Sequence, residues 1–110
     1  MENKTMTAGM NAVKINAIMN CSNFKGEVLH GESMGGWFGH FVSDTNYGDR
    51  VQISVIKTGN LQWNFNFGFS YSPRDMTETR ARQFGELIVK ASEVVSECKK
   101  ITKEMSGGDY

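Results

Sequence analysis

The stretch Leu61-Gln62-Trp63-Asn64-Phe65-Asn66-Phe67-Gly68-Phe69-Ser70-Tyr71 alternates more strictly than any other part of the chain. Its odd-numbered positions are aromatic or large and apolar, and its even-numbered positions are uncharged polar residues or glycine. Successive side chains of a β-strand point to opposite sides, so this pattern predicts a strand with one aromatic face and one hydrogen-bonding face.

The residues just before this stretch predict its partner strand, because apolar and polar residues alternate there too. A three-residue loop at 58–60 places the apolar residues of both strands on one face, as a half-buried sheet requires. The pairs predicted on that face are Val55 with Trp63, Ile53 with Phe65 and Val51 with Phe67. The pairs predicted on the polar face are Ser54 with Asn64 and Gln52 with Asn66.

Length and composition suit one domain, which we expect to span residues 1–110. The 12 basic and 12 acidic residues cancel, so no overall field attracts nucleic acid, a membrane or an acidic substrate. No apolar run approaches the ~20 residues that a membrane span needs, and no secretory signal is recognisable. Cys21 and Cys98 are therefore expected to be buried free thiols in a reducing, cytoplasmic compartment.

Four regions follow from the changes in pattern along the chain. Val13, Ile15, Ala17, Met19 and Cys21 alternate with mostly polar residues and predict a strand. With further strands at 25–30, 37–42, 51–57 and 61–71, the sheet is expected to be a meander of about five strands. The predicted regions are an N-terminal arm at 1–9, the antiparallel sheet at 10–72, a helical region at 73–106 and a tail at 107–110.

After Pro73 the apolar period changes from 2 to about 3.6, which predicts a helix. Asp75 is the expected N-cap, and Glu78 places a carboxylate near the positive helix end. One helix over 76–105 would be about 45 Å long, which is longer than the strands it covers. Either it breaks near 92–98 into two shorter helices, or its second half packs on another subunit. Both outcomes leave surplus apolar surface, so we expect an oligomer.

Two sequence features could indicate a catalytic nucleophile or a metal site, but neither is supported by its sequence context. Gly31-Glu32-Ser33-Met34-Gly35 matches the G-x-S-x-G nucleophile elbow, but the glycine-rich segment after it cannot start the helix that this elbow requires. His30 and His40 are not at a recognised metal-ligand spacing, and the cysteines are isolated. We therefore predict a non-enzymatic protein with no catalytic residue, metal, cofactor or small-molecule substrate.

The aromatic row of the long strand has two interpretations. It is either a base-stacking platform or the core face beneath the helix, and we predict the core because the helix stripe needs an apolar partner. The residues predicted to form the core and dimer contact are Trp63, Phe65, Phe67, Phe84, Leu87, Ile88 and Val95.

The opposite, uncharged face is then the candidate for RNA, because amide and hydroxyl groups both donate and accept hydrogen bonds. A merely solvated sheet face is the alternative. The residues predicted to bind RNA are Lys14, Asn16, Gln52, Ser54, Lys57, Gln62, Asn64 and Asn66.

The segment from Phe65 to Arg82, with Gly85-Glu86-Leu87-Ile88-Val89-Lys90-Ala91 after it and a terminal Tyr110, resembles the closing part of coat proteins of single-stranded RNA bacteriophages. In that family an aromatic strand runs through a short link into one or two helices. The resemblance implies a meander whose dimer forms one sheet, helices that cross onto the partner and an inner face toward RNA. The chain departs from the family in having no room for the usual N-terminal hairpin.

The expected fold is therefore α+β, an antiparallel meander with one long or two shorter C-terminal helices in an intertwined homodimer. The expected function is that of a structural coat protein, which assembles into the capsid of a virion and contacts RNA. A small dimeric protein that binds single-stranded nucleic acid, or acts as a regulator, is the first alternative. A protein-binding module, such as a phage-encoded inhibitor, is the second.

Overall fold

A computed structural model describes residues 4–59 and 62–106 of the chain. Four antiparallel strands form one sheet in the order β1-β2-β3-β4. One long helix precedes the strands in the sequence and another follows them. The predicted α+β class and the antiparallel meander are confirmed, with four strands in place of five. The elements are α1 (Lys4–Cys21), β1 (Lys25–Gly31), a short 3-10 turn (Glu32–Met34), β2 (Gly36–Asp44), β3 (Arg50–Thr58), β4 (Asn64–Ser70) and α2 (Glu78–Ser106).

The strand predicted over 13–21 is wrong, because these residues belong to α1. Val13 is 68% exposed, whereas the buried residues recur at spacings of three and four. That spacing is the period of a helix face, and alanine and methionine favour helix as well. The loose arm predicted at 1–9 is also wrong from Lys4 onward, where α1 begins. The last residue of α1, Cys21, was predicted to be buried but is exposed, whereas Cys98 is buried as predicted. The buried residues of α1 are Ala8, Asn11, Ala12, Ile15 and Met19.

The β3–β4 hairpin keeps the predicted faces but not the predicted register. Val55 lies opposite Phe65 instead of Trp63, so the pairing is shifted by two residues. Trp63 precedes β4 and is buried there, which lengthens the connection between the strands. A shift by an even number leaves every side chain on its face, so the burial pattern tolerates it. The other apolar pairs are Ile53 with Phe67 and Val51 with Phe69.

The C-terminal helix is continuous over 29 residues, so the predicted break near 92–98 does not occur. Its N-cap is Thr77, whose hydroxyl oxygen accepts a hydrogen bond from the backbone N–H of Arg80 at 3.2 Å. The predicted cap, Asp75, lies before the helix with a φ of 60°. The predicted apolar stripe is buried at Phe84, Ala91, Val94, Val95 and Cys98.

Both helices pack on the same face of the sheet, where their buried residues join those of the strands in one core. The second half of α2 lies beside α1, and Ile18 and Ser22 line a groove together with Val94 and Glu97. The long apolar stripe is therefore covered within one chain. This packing removes the reason for which an intertwined dimer was expected, while the dimer itself stays a prediction.

The aromatic row of β4 divides into a buried and an exposed half. Trp63 and Phe65 are buried at 7% and 9% exposure, as predicted for the core. Phe67 is 45% exposed, so its predicted place in the core of the chain is wrong. The reason is that β4 is the last strand of the sheet, so no further strand lies beside it to cover the outer side of its rings. Of the other predicted core residues, Phe84 and Val95 are buried, and Leu87 and Ile88 are half-buried.

A buried ion pair fixes the start of α2 to the β2–β3 turn. The guanidinium group of Arg80 donates two hydrogen bonds to the carboxylate of Asp49, which is fully buried. Arg80 also donates to the carbonyl oxygens of Arg74 at 2.9 Å and Ser72 at 2.7 Å. The hydrogen bonds that Arg80 donates to Asp49 lower the pKa of the Asp49 carboxyl from its ordinary value of 3.8. The pair joins the start of α2, and the segment just before it, to a turn that lies 31 residues earlier in the sequence.

Candidate binding face of the sheet

One face of the sheet is covered by the helices and the other is left open. Val28, Phe41, Ile53 and Phe65 point to the helices and are buried, so the residues that alternate with them form the open face. From β1 to β4, its rows are Leu29-Phe38-Ile56-Asn64, Glu27-His40-Ser54-Asn66, Lys25-Val42-Gln52-Gly68 and, from β2 on, Asp44-Arg50-Ser70.

Four of the residues predicted to bind RNA lie together on this open face. Ser54 on β3 is directly opposite Asn66 on β4, and Gln52 and Asn64 occupy the neighbouring rows. Asn64 and Asn66 are exposed, while Gln52 and Ser54 are half-buried by their neighbours within the sheet. Gln62 is exposed just before β4 begins. The amide and hydroxyl groups therefore form a continuous uncharged cluster, which we call the amide cluster (Gln52, Ser54, Asn64 and Asn66).

Three other residues predicted to bind RNA lie elsewhere. Lys57 lies two residues after Val55 on β3, so its side chain points to the same side of the sheet, which is the helix side. Its ammonium group donates a hydrogen bond to the carbonyl oxygen of Gly59 at 2.8 Å. Lys14 and Asn16 belong to α1, because the strand predicted there does not exist. The side-chain oxygen of Asn16 accepts a hydrogen bond from the backbone N–H of Val28 at 2.7 Å. These three residues cannot join the amide cluster in one flat surface.

An apolar row beside the amide cluster is the part of the face that the sequence analysis missed. Leu29, Phe38 and Ile56 cross three neighbouring strands and end at Asn64. Leu29 is 59% exposed, and the other two are half-buried. The segment 37–42, which has aromatic residues on both faces, could have indicated an apolar group on the open face. The open face therefore combines a flat aromatic ring with hydrogen-bonding groups.

A second row places a carboxylate, an imidazole and a hydroxyl group on adjacent strands. Glu27, His40 and Ser54 are direct cross-strand neighbours. Nucleophilic catalysis needs a hydrogen-bonded path from base to nucleophile and a site that shields the reacting group from water. In the described structure no hydrogen bond joins these three side chains, and His40 is exposed. The three side chains therefore line the open face as separate polar groups.

Charge on the open face is confined to its margins. Asp44 and Arg50 form an exposed ion pair, in which the Arg50 Nε donates to Asp44 Oδ1 at 2.7 Å. This hydrogen bond lowers the pKa of the Asp44 carboxyl. Lys25 and Glu27 lie on the outer strand β1. The centre of the face is neutral, so recognition there depends on shape, stacking and hydrogen bonds.

The segment that matches the nucleophile elbow connects two strands. Glu32–Met34 form the 3-10 turn, and β2 begins at Gly36 directly after it. The strand-to-helix turn that the elbow requires is therefore not formed there. Across the residues that the structure describes, no three His, Cys, Asp or Glu side chains cluster as a metal site would require. Within the same ranges, neither helix has the length and hydropathy needed to cross a membrane.

Comparisons of the chain with protein families, with curated proteins and with solved structures find no match.

Proposed function

We propose that this chain is a non-enzymatic protein that binds single-stranded RNA on the open face of its sheet. The observation that carries the proposal is the amide cluster beside the ring of Phe38. Amide groups donate and accept hydrogen bonds, so they match the edges of unpaired bases, and an aromatic ring accepts a base by stacking. Duplex RNA hides those base edges, so a preference for single strands follows.

The neutral centre of the face determines how this binding responds to salt. Each phosphate that a protein neutralises contributes to the slope of affinity against salt concentration. Lys25 and Arg50 are the cations at the margin of the face, and Arg50 is already paired with Asp44. We therefore expect a shallow salt dependence and an affinity that depends on base contacts.

A coat protein that encloses RNA in a virion is the more specific form of this proposal, and the sequence resemblance supports it. The packing of α2 on α1 within one chain supports the other form, a small RNA-binding protein that builds no shell. Light scattering and electron microscopy of the purified chain separate the two. Particles of megadalton mass support the coat protein, and small species at every concentration and salt support the alternative.

A protein ligand is a second candidate, because the row of Leu29, Phe38 and Ile56 offers exposed apolar surface. Apolar surface of this kind, rimmed by polar groups, is typical of protein contacts. Failure of all RNA binding, with capture of a peptide that alters the NMR signals of this row, would favour that candidate.

The test of RNA binding is fluorescence anisotropy with a labelled single-stranded RNA of roughly 12 nucleotides and its duplex form. The double variant Ser54→Ala/Asn66→Ala removes hydrogen bonds at the centre of the amide cluster. We expect its affinity to fall by at least about tenfold, or ~1.4 kcal/mol. Phe38→Leu should weaken binding by ~1 to 3 kcal/mol, because it keeps an apolar side chain but loses the stacking ring.

Ser92→Ala is the matched control, because Ser92 is an exposed polar residue on α2, away from the open face. Its affinity should equal that of the wild type. Equal affinity in the control and the double variant, or no RNA binding by the wild type at low salt, would refute the proposal.

A further inference from the structure

The edge formed by β1 is closed by side chains of α1. Asn16 accepts a hydrogen bond from the outward-facing backbone N–H of Val28 at 2.7 Å, and Asn20 donates one to the carbonyl oxygen of Gly26 at 3.2 Å. Lys25 and Glu27 add charges to the same strand. Charged residues and covered backbone groups are the devices that prevent an edge strand from pairing with another chain.

The edge formed by β4 carries none of these devices. Its sequence from Asn64 to Ser70 contains no charged residue and no proline. In the described part of the chain, β4 has a hydrogen-bonded neighbour on one side only, which is β3. An edge strand presents a row of backbone N–H and C=O groups that can pair with a further strand.

Apolar side chains are concentrated at this same edge. Phe67, Phe69 and Tyr71 are 45%, 49% and 56% exposed, and the rings of the last two lie against Phe84. Contiguous exposed aromatic surface is typical of an interaction site.

The flank of α2 that turns toward β4 leaves room for a partner. Gln83, Leu87 and Lys90 line a groove with the β2–β3 turn, so the opposite flank of the helix faces the β4 side. Gly85 lies on that opposite flank, and a methyl group placed on it would meet no atom within 4 Å apart from its chain neighbours and the backbone of its own helix. The edge therefore combines a bare strand, exposed rings and open space above them.

We propose that a second copy of the chain docks here by antiparallel pairing of β4 with β4 about a twofold axis at Phe67. This pairing sets aromatic residues against aromatic residues on the helix side, and it sets asparagine against serine or glycine on the open face. A twofold interface requires such self-complementarity. The proposed pairs are Asn64 with Ser70, Phe65 with Phe69, Asn66 with Gly68 and Phe67 with its own copy.

The resulting dimer has one continuous sheet with all helices on one side. Exposed rings from both copies fill the space between the two α2 helices, which buries the aromatic surface of each. The two open faces join into one surface, with Asn64, Asn66 and Ser70 of both copies at its centre. The dimer does not depend on RNA binding, because its contacts are the β4 backbone and the rings on the helix side.

The first experiment is sedimentation velocity over a wide range of protein concentrations. We expect the wild type to reach twice the chain mass of 12.3 kDa. Phe67→Lys should remain monomeric, because it places two ammonium groups opposite each other at the axis. Leu29→Lys is the matched control, since Leu29 is also an exposed apolar residue, at 59%, but lies on β1, and it should dimerise like the wild type. Circular dichroism and thermal melting establish that each variant is folded.

The second experiment tests the register with a disulfide. In a Cys21→Ser background, Phe67→Cys should cross-link under oxidation, because opposed residues of antiparallel strands have Cα atoms about 4.5 to 5.5 Å apart. Phe69→Cys should not cross-link, since its predicted neighbour is Phe65. A wild type that is monomeric at every concentration, a Phe67→Lys dimer, or cross-linking only at Phe69→Cys would overturn the proposal. RNA affinity is measured on the monomeric Phe67→Lys variant, so either proposal can fail without the other.

Discussion

The two edges of the sheet differ in chemistry although both belong to the same small meander. At β1, the asparagine side chains of α1 occupy outward backbone groups, and charged residues flank them. At β4, the strand is uncharged and bordered by exposed rings. Helix α1 therefore has two roles: it covers the second half of α2, and it closes one edge of the sheet. The chain has no corresponding element for the other edge among the residues described.

The largest expected effect concerns the buried end of β4. Phe65→Ala should lower the free energy of unfolding by ~3 to 5 kcal/mol, because Phe65 is 9% exposed and its removal leaves a cavity. Urea denaturation followed by tryptophan fluorescence measures this change. A loss below about 1 kcal/mol would mean that the whole row, and not only its second half, lies outside the core.

The next effect concerns the ion pair that holds the start of α2 at the β2–β3 turn. Asp49→Ala should lower Tm by roughly 10 °C at neutral pH, because it leaves the buried guanidinium of Arg80 without its carboxylate. Asp44→Ala is the control, since its ion pair with Arg50 is exposed and should contribute little. Equal melting temperatures for the two variants would contradict the assigned role of Asp49.

Acid should weaken the same pair in the wild type. The pKa of Asp49 is lowered in the folded chain from its ordinary 3.8, so the folded state prefers the ionised form. Its contribution to stability is therefore present above the unfolded pKa and is lost as the pH falls through the lower folded pKa. Denaturation curves at a series of acidic pH values should show a steeper loss in the wild type than in Asp49→Ala. Parallel losses would assign the acid sensitivity to other carboxyl groups.

A smaller effect is expected at the closed edge. Asn16→Ala should cost ~1 to 2 kcal/mol, because the backbone N–H of Val28 loses its acceptor at a part-buried position. Asn20→Ala should cost less, because its bond to Gly26 is longer and exposed. Chemical denaturation of both variants measures the two losses of unfolding free energy. A larger loss for Asn20→Ala than for Asn16→Ala would show that Asn16 is not the main residue closing this edge.

The smallest effect is expected at the open half of the aromatic row. Phe67→Ala should change the stability of the monomer by less than about 1 kcal/mol, because its ring is already 45% exposed. The measurement is made at low protein concentration, where a dimer contributes nothing. A loss as large as that of Phe65→Ala would place Phe67 in the core of a single chain.

The sequence predicted the pairing of β3 with β4 and the two faces of this hairpin, because apolar and polar residues alternate along both strands. It did not predict the register, since any even shift keeps Phe65 and Phe67 on the same face. The error in α1 has a related origin: Ile15 and Met19 fit both a strand and a helix, and the residues that decide between them, Ala8 and Ala12, lie earlier in the chain.

The residues of the amide cluster were predicted correctly to share one face, because all of them lie on β3 or β4. Asn16 does not share that face, because its role depends on a contact with Val28 that no local pattern encodes. Arg80 and Asp49 are similarly far apart in the chain, and neither residue alone signals a buried pair.

Hydrogen–deuterium exchange of the backbone amides at increasing protein concentration tests the contrast between the two edges most directly. The outward amides of β4 should exchange quickly in dilute solution and slowly in concentrated solution, while the Val28 amide of β1 stays protected throughout. Unchanged exchange along β4 over the whole concentration range, or concentration-dependent protection of β1 instead, would contradict this account.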